Sequence, residues 1–242
     1  MSNNNFGKLG IINFSNNCYL NVIIQLFLCN KNSSNIIVHY LDILSTRDNY
    51  HTNGTNIINP KKLMTKLSEK IDVTRQNDSQ EVFTLILDLI PDLEKYYINK
   101  IKNVYTCQEC EKSRTKEDTF STFYIHTNSL EDSVRQVISN EEFELQCDFC
   151  KKNTLTKKTC RINKLGNILI FYNIVKNKLK ITENITFGSY KYRLTGIIKH
   201  FGNERSGHYI FIDYINKLII DDTRISKLDN LPMDDIYLLF YT

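Results

Sequence analysis

Two Cys-x-x-Cys pairs, Cys107-Gln108-Glu109-Cys110 and Cys147-Asp148-Phe149-Cys150, constrain this chain more than any other feature. Four thiolates at knuckle spacing match the tetrahedral ligand set of zinc, and a fully protein-ligated ion is structural, with no open position for catalysis. Residues 111–146 separate the pairs, a longer interval than a zinc ribbon has, with room for strands or a helix between the knuckles. A redox role is the weaker reading, because neither pair precedes a clear thioredoxin-like helix. The bland reading, small buried apolar residues, is adopted for Cys29 and Cys160.

The rest of the composition narrows the setting. A chain of 242 residues suffices for one large domain or two small ones, and 41% hydrophobic with 24% charged residues is ordinary for a globular protein. The net charge of +4 is mild and scattered, which argues against a nucleic-acid stripe or a membrane-binding surface. The start, Met1-Ser2-Asn3-Asn4-Asn5, lacks a signal-peptide pattern. The longest apolar runs, such as Ile168–Phe171 and Leu238–Tyr241, are far too short to cross a bilayer. The expectation is an intracellular protein of cytoplasm and/or nucleus, in which cysteines serve metal binding or catalysis ahead of disulfides.

Along the chain, Asn16-Asn17-Cys18 precedes a run from Tyr19 to Leu28 that is apolar almost all round. This predicts a buried helix starting at or just before Cys18, with Asn as N-cap. Asp78-Ser79-Gln80-Glu81 has capping-box form, Val82, Phe83, Leu85, Ile86, Leu89 and Ile90 follow at helical spacing, and Pro91 stops the helix. Arg47–Pro60 reads as a loop. From Tyr105 short polar segments suggest strands, with one helix near Leu130–Ser139. Later strands are expected at Ile168–Tyr172, Tyr192–His200, His208–Tyr214, Lys217–Ile220 and Ile236–Tyr241. Helices early and strands late predict an α+β architecture.

Candidate chemistry begins at Cys18, where a helix N-terminus favours thiolate. His208 sits where the turn Arg205-Ser206-Gly207 enters an apolar strand. Asp221 and Asp222 follow the next strand, and a hairpin would return them beside His208. Nucleophile, base and an acceptor for the base are the parts of a Cys-His-Asp set. Paired aspartates after a strand also occur as a plain solvated turn, and Asp78 with Glu81 as a plain helix cap.

Four separated segments together resemble the ubiquitin-specific proteases. Gly10-Ile11-Ile12-Asn13-Phe14-Ser15-Asn16-Asn17-Cys18-Tyr19-Leu20-Asn21, with Gln25 beyond, is similar to the family's Cys box. Gln76-Asn77-Asp78-Ser79-Gln80-Glu81-Val82-Phe83 is similar to its Gln-Asp box. The two cysteine pairs fall where the family carries zinc-bearing fingers. Tyr192 to Gly202, Ser206-Gly207-His208-Tyr209 and Asp221-Asp222 resemble its His box, and Ile236–Tyr241 its closing strand.

The resemblance implies a papain-like right hand in one catalytic domain: a helical thumb over about 6–100, zinc fingers over 101–165 and a β palm over 166–242. It implies thiol-dependent hydrolysis after the terminal Gly of ubiquitin through a thioester on Cys18, with His208 as base and Asp221 favoured over Asp222 as its partner. Asn13 matches the oxyanion Asn. Asp78, Gln80, Glu81, His200 and Tyr209 match substrate-tail positions, and Phe201–Ser206 matches a loop over the channel. One structural zinc on Cys107, Cys110, Cys147 and Cys150, ubiquitin or ubiquitinated proteins as partners, and a monomer complete the expectation. The sequence departs from the family where Ser15-Asn16-Asn17 replaces Gly-Asn-Thr, where Phe171-Tyr172-Asn173-Ile174 replaces Leu-Lys-Arg-Phe, and where Lys217 replaces a Trp.

Overall fold

An apolar helix with no solvent face must be enclosed on all sides, and α1 (Cys18–Cys29) is: every residue but Cys29 is buried. The computed structural model describes residues 9–44, 57–175, 178–203, 206–230 and 234–242. Around α1 lie α2 (Lys31–Ile37), α3 (Lys61–Leu67), α4 (Ser79–Leu89) and α5 (Pro91–Tyr97). Pro91 ends α4 as expected and also opens α5, since the first turn of a helix does not need its missing N–H. Phe27, Phe83 and Tyr97 form an aromatic triangle joining α1, α4 and α5, with centroids 5.3–5.9 Å apart.

Strands β1 (Gly10–Ile11), β2 (Asp42–Leu44) and β3 (Ile57–Asn59) make a small sheet in the order β1-β3-β2. Of the loop expected over Arg47–Pro60, residues 47–56 lie outside the described residues. The apolar pair Ile57-Ile58 instead forms a buried strand beside β1.

A four-stranded sheet runs β5-β4-β8-β7: β4 (Asn99–Cys107), β5 (Ser113–Phe120), β7 (Glu141–Gln146) and β8 (Asn153–Lys164). β5 is almost wholly solvent-facing, and surface ion pairs such as Lys158–Glu141 at 3.1 Å cross its neighbours. This sheet encloses little apolar core of its own. The 101–165 stretch does not stay within it: β6 (Thr122–Ile125) and α6 (Leu130–Val137) pack with the larger sheet.

That sheet holds β9 (Leu169–Asn173), β10 (Asn184–Phe187), β11 (Tyr190–Gly202), β12 (Gly207–Asp213), β13 (Leu218–Asp221), β14 (Arg224–Lys227) and β15 (Ile236–Tyr241). Its order is β14-β13-β12-β11-β15-β9-β6, with β10 also paired to β11. Both faces are covered. Ile170, Ile198, Phe211, Leu238 and Phe240 face the helices, while Phe171, Ile197, Ile212, Leu239 and Tyr241 join the second core with α6. Burial on both faces explains why β15 reads as an unbroken apolar run instead of an alternating one.

The aromatic triangle sets a stability prediction. Phe27→Ala removes a fully buried ring from three packed helices and should cost about 3–5 kcal/mol, read as a lowered denaturation midpoint in urea.

Candidate active site

The approach to α1 departs from ordinary helix capping. Asn17 occupies the N-cap position, but its side chain makes no capping bond. Its Oδ1 accepts from the Phe14 amide at 2.6 Å, while its Nδ2 donates to the Ile12 carbonyl at 3.0 Å and to Asn21 Oδ1 at 2.9 Å. The expected cap is therefore spent on shaping the preceding loop. The first amides of α1 stay free of it, and those of Cys18 and Tyr19 lie close enough to the Cys18 thiol to favour its charged form.

Ser15 lies in that loop at φ 135°, a region open mainly to glycine. The family resemblance expects Gly at this place. Asn13 Oδ1 steadies the turn by accepting from the amides of Ser15 at 3.0 Å and Asn17 at 3.2 Å.

The Cys18 thiol is buried against β12. Burial raises it above its ordinary range, the charge of Asp222 adds to this, and the backbone amide of Tyr209 opposes it. His208 Nε2 lies 2.6 Å from Asp221 Oδ1. With Nε2 donating to that carboxylate, Nδ1 is the nitrogen left to take up a proton. Both side chains remain about 40% exposed, at 41% and 39%.

The two aspartates part company through backbone geometry. Asp222 has φ 52°, and its carboxylate turns to the thumb side. Asn21 Nδ2 donates to its Oδ1 at 2.7 Å, and Asn13 Nδ2 to its Oδ2 at 2.7 Å. Its carbonyl accepts from the Ile11 amide at 2.8 Å. Gly10 is needed beside it, because a Cβ there would lie 2.7 Å from the Thr223 Cα. His208, Asp221 and Asp222 present atoms within 4.8 Å of one another, a grouping a cation could use. Their hydrogen bonds to one another and to the two asparagines already account for it.

A cavity of about 400 Å³ opens beside this centre, lined by Gln76, Asp78, Tyr172, His200, Tyr209 and Tyr237 among others. Asp78 caps α4 by accepting from the Gln80 amide at 2.8 Å and the Glu81 amide at 3.2 Å. Its other oxygen accepts from the Tyr237 hydroxyl. Burial holds that phenol far above its ordinary pKa, so it stays a donor. His200 stacks on Tyr209 with centroids 4.2 Å apart and meets Tyr237 edge-on at 5.7 Å. Gln80 and Glu81 lie on the first turn of α4 and are not among the lining residues. Of the expected Phe201–Ser206 loop, residues 204–205 lie outside the described residues.

Far from the cavity, the four knuckle cysteines converge with all Sγ atoms within 4.8 Å. Cys110 and Cys147 sulfurs are 3.6 Å apart, and those of Cys107 and Cys150 are 4.0 Å apart. Sulfurs bound at ~2.3 Å to a tetrahedral zinc would be separated by about 3.8 Å, so the set fits that ion. Glu111 and Lys151 turn each knuckle with φ 58° and 61°. The Thr154 hydroxyl at 3.1 Å and the amides of the first knuckle draw Cys107 down to about 6. Amides of Cys150 and Phe149 lower Cys147. These are thiols biased to the ligand form.

A family model described as ubiquitin carboxyl-terminal hydrolase matches residues 9–241. The chain belongs to that family. It is 22% identical to the probable ubiquitin carboxyl-terminal hydrolase 8 of Schizosaccharomyces pombe, across 97% of this chain and 65% of that protein. It therefore spans just under two thirds of that relative's length. It is 24% identical to the probable ubiquitin carboxyl-terminal hydrolase FAF of Drosophila melanogaster across 59% of this chain and 7% of that protein. Among solved structures, a SAGA DUB module of Ubp8, Sgf11, Sus1 and Sgf73 bound to monoubiquitin matches with TM-score 0.77 and 17% identity. A second, bound to ubiquitin aldehyde, matches with TM-score 0.74 and 18% identity, each covering 100% of this chain and 70% of the other. At such identities the likeness concerns the fold, which is the mixed α+β hand the sequence implied.

The sequence points to no site role for Asn21, Gln76, Tyr172 or Tyr237, and to Asn17 only as a helix cap. Gln76 and Asn21 stood inside the quoted boxes, but their partners lie more than 100 residues away in sequence.

The strain at Ser15 is testable. Ser15 is exposed, and its hydrogen bond to Asn13 uses only its backbone amide. Ser15→Gly should therefore stabilise the protein by about 1 kcal/mol, seen as a higher melting temperature.

Proposed function

We propose that this chain is a thiol-dependent deubiquitinase that hydrolyses isopeptide or peptide bonds after the terminal glycine of ubiquitin. One observation carries the reading: the Cys18 thiol, at the start of α1, is buried against β12 beside the amide of Tyr209, the residue next to His208, whose imidazole is already held by Asp221. Nucleophile and base thus belong to adjoining points of one seam between α1 and β12.

Each side chain then has a task. His208 takes the Cys18 proton on Nδ1, and Asp221 stabilises the imidazolium. The thiolate attacks the carbonyl carbon of the terminal glycine and forms a tetrahedral oxyanion. The uncapped amides at the start of α1 and the second N–H of Asn13 would donate to that charge, and one such donor is commonly worth about 3 kcal/mol. Asp222 holds Asn13 in place for it. Collapse expels the amine, which leaves with the proton from His208, and water cleaves the thioester by the same base. Desolvation disfavours the thiolate by itself, which makes the imidazole the group that draws the proton away.

The substrate tail would lie in the cavity between α4 and the large sheet, against Asp78, His200 and Tyr209, with Gln80 and Glu81 at its entrance. Two glycines without side chains suit a channel walled by stacked rings. In this reading the helices around α1, the β5-β4-β8-β7 sheet and the large sheet act as thumb, fingers and palm of one monomeric domain. Zinc held by Cys107, Cys110, Cys147 and Cys150 would staple the thin β5-β4-β8-β7 sheet, which would cradle the folded part of ubiquitin. No helix among the described residues is long and apolar enough to cross a membrane, and an intracellular site, in cytoplasm or nucleus, accords with the reduced thiols this chemistry needs. Neither nucleic acid nor membrane enters it.

Two measurements test this. A ubiquitin C-terminal fluorogenic substrate should be cleaved, Cys18→Ala should abolish turnover, and Asp221→Ala should lower kcat by at least about 100-fold. Folded, zinc-loaded protein with no turnover would refute the hydrolase reading. Elemental analysis should find about one zinc per chain, lost in the double variant Cys107→Ser with Cys147→Ser, and chelation should lower the melting temperature.

A further inference from the structure

β12 has a complete neighbour on one side only. Against β11 its pairing runs to the last residue, Gly202 opposite Gly207. Against β13 it covers only Phe211, Ile212 and Asp213. Residues 207–210 therefore have an edge that β13 does not pair, and this edge faces the thumb. In a strand, alternate residues turn their peptide groups to the same side. Phe211 meets β13, and the Tyr209 amide faces the Cys18 thiol. Gly207 meets neither.

Gln76 fills that place. Its Oε1 accepts from the Gly207 amide at 3.0 Å, and its Nε2 donates to the Gly207 carbonyl. One carboxamide thus satisfies both peptide groups of a residue 131 positions away, as a neighbouring strand would. The loop that presents it is braced. Asn77 Nδ2 donates to the carbonyls of Asp72 and Arg75, both at 3.0 Å, and Asp78 is fixed by the α4 amides and the Tyr237 hydroxyl. The receiving residue must be glycine, because a Cβ at 207 would lie 2.2 Å from His200 Nε2.

We propose that Gln76 is a positioning residue: as a surrogate strand partner for Gly207, it sets the distance between thumb and palm one residue from His208 and so aligns the imidazole with the Cys18 thiol. This rests on the hydrolase reading for its purpose, but not for its test. Gln76 also lines the cavity, so the rival role is direct contact with the substrate tail.

The test reads the thiol without ubiquitin. The rate of Cys18 alkylation by iodoacetamide, followed on the Cys18 peptide by mass spectrometry, is compared with fluorogenic turnover in the wild type, Gln76→Ala and Gln76→Glu. Melting temperature and zinc content check the fold. Gln76→Ala should slow Cys18 alkylation and lower kcat together, each by about 10- to 100-fold, with KM within about twofold. In Gln76→Glu the ionised carboxylate can accept from the Gly207 amide but repels its carbonyl, whereas the protonated acid can serve both groups. The ratio of variant to wild-type alkylation should therefore rise as pH falls through the carboxyl range, from about 7 to about 4.5. Unchanged alkylation in Gln76→Ala overturns the proposal, whether KM rises, as for a substrate contact, or nothing changes. Wild-type protein that alkylates but does not hydrolyse would remove the hydrolase reading while the alkylation series still decides the role of Gln76.

Discussion

The Asp222 carboxylate is the point on which the centre depends. It receives carboxamides from Asn13 and Asn21, both at 2.7 Å and both about 200 residues distant in sequence. Hydrogen bonds to a charged acceptor contribute more than neutral ones, roughly 1.5–3 kcal/mol each. Here they tie the loop before α1, the first turn of α1 and the end of β13 into one unit. Asn17 extends the chain by donating to Asn21. Beside it, the Gln76–Gly207 and Tyr237–Asp78 hydrogen bonds hold the α4 side to the same sheet, and apolar packing, which is non-directional, fills the space between.

Local chemistry made much of the scaffold legible. The α1 start at Cys18, the α4 cap at Asp78 and the β15 span follow from caps, periodicity and apolar runs that act over a few residues. Tertiary demands overrode local ones elsewhere. Asn17 has the right chemistry for a cap and spends it on the loop, because the Phe14 amide, the Ile12 carbonyl and the Asn21 side chain take up its carboxamide. Ile57–Asn59 looked like loop in a polar stretch, yet the chance to pair with β1 makes it strand. The parallel pairing of β6 with β9 leaves no trace at short range. Nor could spacing choose between Asp221 and Asp222. A single positive φ decides which carboxylate meets the imidazole.

The two sheets illustrate opposite solutions to stability. The large one is apolar on both faces and is held by burial. The small one is open to water over much of its surface, and its ion pairs lie in positions where solvent screening leaves each worth little. Four converging thiols at its far end fit a role that side-chain packing cannot fill there. Family membership and fold likeness agree with this division, though the relatives diverge from this chain at about four positions in five.

The placement of β15 has a consequence for how the molecule comes into being. Residues 236–241 lie between β11 and β9, in the middle of the sheet instead of at its margin. During synthesis the central slot between β11 and β9 stays empty until residues 236–241 have emerged, after every other strand of that sheet. Cys18 lies on a helix made early and His208 on a strand made late, so the register between their two elements waits on that last insertion.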